Sequence, residues 1–498
     1  VVEKAVSKCY ILLSHNSIAL QQKRPNMNTQ CYSDNGQLEL DFQGLGRRKI
    51  VGKFDGGHVS TDGGVLLLRE VEARTGIISE LADCFTDNRD PSRIEHTVEE
   101  LVAQRVYGLA LGYEDLDDHD RLRVDPLLAI AVGKSDPTGE HRRSAGDRGK
   151  ALAGKSTLNR LELSSEKDDR YRRTPASVDR IREALVNTFI RITEMKEGVP
   201  KRLILDIDAT DDIIHGEQEG KFFHAYYNNY CYLPLYIFCN GHPLCAKLRR
   251  SCIDPAKGSV EELKYIITKL RARWPKVRIL VRGDSGFCRD YIMSWCEDNK
   301  VDYILGVAKN ERLKKIIGRQ LYAARKRHEE TGRAARVFTW FWYKTKKSWR
   351  QERRVIAKAE HLDKGSNPRF IVTTLPDSDR KLYEEVYCAR GEMENRIKEQ
   401  QLDLFADRTS THYMTSNQLR LWFSTFAYIL MNACRVLGME GTSFARAQCG
   451  TIRLKLLKIG AVLRFSVRRV LVSFACGYPW TDDYSIIHRR LCSIPLRA

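Results

Sequence analysis

The sequence predicts a mixed α/β protein, and three observations carry that reading. From about residue 200, short apolar runs ending in acidic residues alternate with helix-period segments, the order expected when helices cover a sheet. Before that point the patterning is mainly helical. From 408 to the end the chain is basic, with 13 Lys or Arg against 3 Asp or Glu.

Taken in order, residues 1–50 are polar and irregular and are expected to be flexible. FDGGHVSTDGG (54–64) reads as turns around a short strand. VLLLREVEARTGIISELADCF (65–85) and HTVEELVAQRVYGLALGY (96–113) read as helices, the second opened by a Thr97/Glu100 capping box. The helical character continues through DPLLAIAVG (125–133), and 135–175 reads mostly as loop with a short helix. RLILDID (202–208) is a buried strand ending in acids. YCYLPLYIFC (230–239) and PLCAKLRRS (243–251) form a hairpin around Asn240-Gly241. Then come a helix (259–274), the strand VRILVRGD (277–284), a helix CRDYIMSWCEDN and the strand DYILGVA (302–308). A basic helix (310–330), strand-like aromatic stretches (336–361) and FIVTTL (370–375) follow. A long helix runs from about 379 to 401, and NQLRLWFSTFAYILMNACRVLGM (417–439) is an apolar core helix interrupted by Arg420, Asn432 and Arg435.

The 498 residues are 42% hydrophobic and 30% charged, which excludes a wholly disordered chain and gives length for several domains. The net charge of +19 and the pI near 9.3 favour a polyanionic partner, most often nucleic acid. The 14 cysteines include no CxxC, and the spacing of Cys239, Cys245 and Cys252 matches no common zinc pattern. They read as reduced thiols of a cytoplasmic protein. No run of eighteen apolar residues is present, so no membrane span is expected. YILL (10–13) has close polar flanks and no cleavage site after it, and residues before the first Met, Met27, are set aside.

Chemistry is concentrated in the acids. Asp206 and Asp208 close one strand and Asp284 closes another. Any one of them is the ordinary polar end of a strand; acids at the ends of neighbouring strands can meet at one point. On the long helix, Tyr387, Arg390 and Glu394 are spaced three and four and share a face, which Lys398 extends. Asp208, Asp284 and Glu394 together offer hard oxygen ligands of the kind that hold Mg²⁺ for phosphodiester chemistry.

The order strand–Asp, strand–Asp, helix–Glu, with Tyr387, Arg390 and Glu394 spaced as they are, resembles the DDE transposases of bacterial insertion sequences. STDGGVLLLRE, LDIDATDD, HGEQEGKFFHAYYNNYCYLPL, VRGDSGF, YCARGEMENRIKEQ and TIRLKLLKIGA together resemble the IS-thirteen-eighty family, over residues 50–475. The resemblance implies an RNase H-like catalytic core with a β-rich insertion, an N-terminal helical domain and a basic helical C-terminal region. The implied boundaries are 1–50 flexible, 51–195 helical and DNA-binding, 196–309 core, 310–372 insertion, 373–440 core with the Glu helix, and 441–498 basic. It implies Asp208, Asp284 and Glu394 as catalytic metal ligands for two Mg²⁺ ions, with Mn²⁺ as substitute. Asp206 shares strand parity with Asp208 and is the alternative first carboxylate. Arg390 and Tyr387 would contact DNA phosphates. The related signature has Lys or Arg seven residues after the Glu; here that position is Gln401, and Lys398 is the candidate replacement. In the expected insertion, residues 331–360 hold nine Lys or Arg and two Glu beside Trp340, Trp342 and Trp349, and Trp340 and Trp342 are candidate contacts for an unstacked DNA end.

GKALAGKS (149–156) has Walker A spacing, but HRRSAGDR before it cannot be a buried strand, so no nucleotide is expected. His215, His224 and His242 have no metal-site spacing and are expected to be structural. The expected function is DNA transposition: binding of the terminal inverted repeats of its own element, cleavage there, and joining of 3′-hydroxyl ends to target DNA. The partners are double-stranded DNA and a second copy in a synaptic homodimer, with no membrane. The rivals are a catalytically silent DNA-binding protein and an RNase H-fold nuclease without strand transfer.

Overall fold

The computed structural model describes residues 39–163 and 171–497. Most of the segment expected to be flexible lies outside them. Its described end departs from the expectation: Leu40–Leu45 pairs antiparallel with Arg48–Gly52 across a turn in which Gly46 has φ of 61°. The run Lys49-Ile50-Val51 has the β-branched character that favours a strand, and glycine supplies the left-handed turn. Among the described residues, those up to Gly57 form one compact unit and those from His58 another.

The second unit is built on one mixed sheet. Its strands are β1 (Arg202–Ala209), β2 (Leu235–Cys239), β3 (His242–Lys247), β4 (Arg278–Gly283), β5 (Asp302–Val307), β6 (Ala335–Tyr343), β7 (Arg353–Leu362) and β8 (Arg369–Thr373). They lie in the order β6-β7-β8-β5-β4-β1-β2-β3, and Gly365–Ser366 pairs with β7. β4 runs parallel to both β1 and β5; the other neighbours are antiparallel. The β2–β3 turn is the expected Asn240-Gly241, with both residues left-handed at φ 51° and 76°. The strands of the expected insertion are no separate layer. β8 pairs with β5 and β7 with β8, so they widen the core sheet, and two helices, Glu311–Ile316 and Gly318–Thr331, precede them.

Alternation along β1 divides its side chains between two environments. Leu203, Leu205 and Ile207 join a core with α2 (Val178–Glu197), α3 (Ser259–Arg273) and α4 (Asp290–Asp298), named after the earlier α1 (Val98–Leu111). The opposite parity carries Ile204, Asp206 and Asp208, on the face where Leu280, Ile304, Ile356 and Ile371 pack against Leu382 and Tyr383. Those two residues belong to an irregular helix from Asp379 to Asp403. It contains two π-type stretches, Leu382–Tyr387 and Glu399–Asp403, around the regular turns Gly391–Lys398. The expected continuous helix is therefore present but interrupted. Buried Glu399 in the second π stretch is held by Arg396 at 2.9 Å and by Arg435 at 3.1 Å.

α1 opens with the expected Thr97/Glu100 capping box. It shares a hydrophobic core with Val65–Thr75 and α5 (Met414–Gly438), so the N-terminal helices and the C-terminal core helix are packed as one body. α5 is long and apolar enough to cross a membrane by length and composition, but 89% of its most apolar window is buried in this core.

The expected helical C-terminal region is corrected. Among its described residues only Cys449–Leu457 and Thr481–Ser493 are helical; Ala461–Ser466 and Arg469–Phe474 form a hairpin whose first strand pairs with His58–Ser60. The segments AVLRFS and RVLVSF are rich in β-branched and aromatic residues, which a strand accommodates better than a helix. The close approach of this region to Gly64 requires glycine: a Cβ there would lie 1.8 Å from the Leu456 carbonyl oxygen.

Candidate active site

Two acids on β1 face the irregular helix, and their surroundings separate them. Asp206 is buried and gripped by the Arg282 guanidinium, which pairs through Nε and donates from Nη2 to Oδ2 at 2.7 Å. Arg282 also donates to the Val386 carbonyl at 2.5 Å, tying β4 to the helix. Asp206 is thereby committed to a structural pair. Asp208 lies one pleat farther, at the strand end, with its carboxylate toward Arg390 Nη1 at 3.1 Å.

Asp284 is brought near Asp208 by register. Arg282 is opposite Asp206 and Gly283 opposite Ile207, so Asp284, the residue just past the end of β4, follows near Asp208, whose carboxyl its charge raises. The Asp284 carboxylate accepts the Gly286 amide at 2.8 Å and caps the Ser285–Phe287 turn. Glu394 is supplied by the helix. Its carboxylate accepts from Arg390 Nη2 at 2.5 Å, so one guanidinium bridges Asp208 and Glu394. The Glu394 side chain is 44% exposed. Electrostatics record the same convergence: Asp208 is pushed up to about 6, first by burial, with Asp284 and Glu394 adding to the rise and Arg390 opposing it.

Tyr387 seats its hydroxyl over β5 at Gly306. A Cβ at Gly306 would lie 2.5 Å from that hydroxyl oxygen and 3.0 Å from the Ser285 amide nitrogen. Burial pushes the Tyr387 phenol up, with Asp284 adding to it against Arg390. Lys398 is exposed, one turn beyond Glu394. Gln401 donates to the Asp211 carbonyl at 3.2 Å, fixing the helix against the segment leaving β1.

These carboxylates are the hard donors a divalent cation prefers. Among the described residues, no three His, Cys, Asp or Glu side chains are gathered around one point; Arg390 stands between Asp208 and Glu394.

A family model described as transposase DDE domain group 1 matches residues 42–496. The chain is a DDE transposase.

No curated protein matches this transposase. Among solved structures it is similar to a cryo-EM structure of the piggyBac transposase synaptic complex with hairpin DNA. The identity is 12% and the TM-score 0.39, with 80% of each chain covered.

Of the sequence-derived candidates, Asp208 and Glu394 share Arg390, Asp284 lies near Asp208, Tyr387 sits over Gly306, and Asp206 turns to Arg282. Trp340 and Trp342 are exposed on β6, the outer strand of the sheet. Trp340 is opposite Ile356, which is opposite Ile371, which is opposite Gly306, so it ends a row that begins at the Tyr387 hydroxyl. Three strand spacings, roughly 14 Å, separate the two ends of the row. Trp349 is buried against Tyr343 and Arg353. In the transposase GKALAGKS holds no phosphate cradle: no strand precedes it, Lys155 pairs with Asp117 at 3.1 Å, and a helix follows from Lys155 to Glu162. His242 is buried beside Phe189 and Thr188, His224 packs on Tyr227, and His215 is exposed.

Sequence reading missed Arg282 and Gly306. Both left a signal: Arg282 has the parity of Asp284 in VRGD, and a glycine inside the apolar strand YILGVA marks a close approach.

Proposed function

We propose that this transposase, a member of the IS-thirteen-eighty family with an RNase H-like core, cuts DNA at the inverted-repeat ends of its own element. It then joins the 3′-hydroxyl ends to target DNA. The observation that carries the reading is the parallel register of β1 and β4, which brings Asp284, just past β4, near Asp208 at the end of β1, with Arg390 linking Asp208 to Glu394. Asp208, Asp284 and Glu394 would hold Mg²⁺ or Mn²⁺. When bound, the ions supply Lewis-acid stabilisation of the scissile phosphate and a lowered pKa for the attacking water or 3′-hydroxyl.

The protein's own groups do the rest. Arg390 has a planar fork suited to a phosphate diester, and binding one would draw it away from the carboxylates it now bridges. The Tyr387 hydroxyl, held over Gly306, is a donor for a phosphate oxygen near Asp284. Lys398 adds positive charge along the DNA backbone, and Trp340 and Trp342 offer stacking faces at the sheet margin. The net charge of +19 steers the protein to duplex DNA in the cytoplasm, and joining two ends calls for a homodimer.

Strand transfer of a pre-cut, labelled element end into plasmid with Mg²⁺ tests the reading. Wild type should join and Asp284→Asn should not, with both retaining DNA binding. Equal joining by the two would remove Asp284 from the mechanism, and specific binding without joining by either would favour a silent DNA-binding protein. Nicking without joining would favour a nuclease.

A further inference from the structure

Between β1 and β2 the chain makes a small excursion that the reaction above does not use. Asp212–Ile213, Phe222–His224 and Asn229–Tyr232 form a three-stranded antiparallel ribbon with the long strand-turn in the sequence FFHAYYNNY. Its base is fixed. Tyr232 is buried and its hydroxyl donates to the Glu219 carbonyl at 2.6 Å; the Ile214 amide donates to the Tyr230 carbonyl at 2.9 Å; the Ser251 hydroxyl donates to the Phe222 carbonyl at 3.1 Å. Asn228 takes the left-handed conformation at φ 54° that closes the tip.

From this base the rings stand out into water. Tyr226 is 85% exposed, and Phe222, Phe223 and Tyr230 are each between 44% and 49% exposed. Single exposed apolar residues are ordinary, but four large exposed rings within nine residues are not; alternation sets Phe223 and Tyr230 on one face of the ribbon and Phe222 on the other, with Tyr226 at the tip. The rings brace one another: Phe223 with Tyr230 at 5.4 Å and Tyr226 with Tyr227 at 5.0 Å, both edge-on. The hairpin is rooted at the catalytic strand. The Tyr227 hydroxyl reaches the carbonyl of Ala209, the residue after Asp208, at 3.5 Å.

We propose that this aromatic hairpin is a stacking platform for unpaired bases of the DNA strand that enters the carboxylate site. The inference rests on the transposase reading, because only a DNA strand threaded to Asp208 brings bases to this hairpin. Stacking is assigned to Tyr226, the neutral ring that stands farthest into water at the hairpin tip; Lys221 is paired with Glu217 at 2.8 Å and lies over the Tyr230 ring at 4.7 Å. Rings with exposed faces bind any base and need no sequence code.

The test uses the full chain carrying Asp284→Asn and a duplex with a short single-stranded oligo-dT tail containing one 2-aminopurine. Anisotropy reads affinity and 2-aminopurine fluorescence reads stacking. Tyr226→Ala should bind the tailed duplex roughly tenfold more weakly, with weaker quenching, the loss of one stacked base. Blunt duplex binding and the slope of log K against log salt should be unchanged, since no phosphate contact is lost. Tyr226→Trp should restore both signals. Equal affinity and quenching for wild type and Tyr226→Ala would overturn the proposal while leaving the transposase reading intact. A shallower salt slope would overturn it in favour of backbone contact, and a change in mass without a change in DNA binding would assign the hairpin to a second copy of the chain. Failure of the unsubstituted chain to bind either duplex would overturn both readings.

Discussion

At the scale of single residues, two aspartates one pleat apart have different fates because only one has a dedicated partner. Asp206 is enclosed by Arg282, whereas Asp208 shares Arg390 with Glu394. Removing one member of a buried ion pair leaves the other uncompensated, at a cost of about 3–5 kcal/mol. Arg282→Gln should therefore lower the urea midpoint strongly. Asp206→Asn should retain strand transfer at a temperature where it is folded, whereas Asp208→Asn should lose it while keeping DNA binding. Loss of joining by a folded Asp206→Asn would make Asp206 the catalytic carboxylate.

At the scale of elements, the strand Arg469–Phe474 is conspicuous. It is the outer strand of its three-stranded sheet, and Val470, Leu471 and Phe474 are exposed. A free, apolar edge of this kind is a template for strand addition between molecules. Leu471→Lys should reduce light scattering on heating without changing the far-UV spectrum; unchanged scattering would mean that this edge does not nucleate aggregation. The sheet margin at β6 is different, since Gly318–Thr331 packs on β6 and β7. Interruption of the Glu394 helix by π stretches is likewise a property of the element. It lets Tyr383 and Tyr387 face the sheet while Glu399 reaches Arg435 behind.

For the whole molecule, buried histidines oppose stability in acid. His119 is fully buried, and burial first, then Arg105, holds it down to about 3. His96 and His242 are held down to about 3 as well, both chiefly by burial. A histidine with a lowered folded pKa contributes stability that is present above its unfolded value near 6.5 and is lost as pH falls toward 3. His119→Gln should flatten the pH dependence of unfolding free energy between pH 6.5 and about 4.5 by about 1.4 kcal/mol per pH unit, read by urea denaturation at several pH values. An identical slope in wild type and His119→Gln would show that His119 already titrates normally. Asp208 acts in the opposite sense, since its raised value makes folding more favourable as pH drops through about 6.

The strands of the central sheet from Arg202 to Val307, the capping box of α1 and the Asn240-Gly241 hairpin are legible in the sequence because each is a local matter. Strand parity, helix spacing and turn chemistry act within a few residues. The C-terminal hairpin departs from the helical expectation because AVLRFS and RVLVSF carry strand character, and pairing with the distant His58–Ser60 gives the first of them a partner. The joining of the expected insertion to the core sheet, the commitment of Asp206 to Arg282 and the seat of Tyr387 over Gly306 were decided only by tertiary structure. Each depends on register between segments far apart in sequence, and a single residue of register decides which side chain faces the site and which faces a partner.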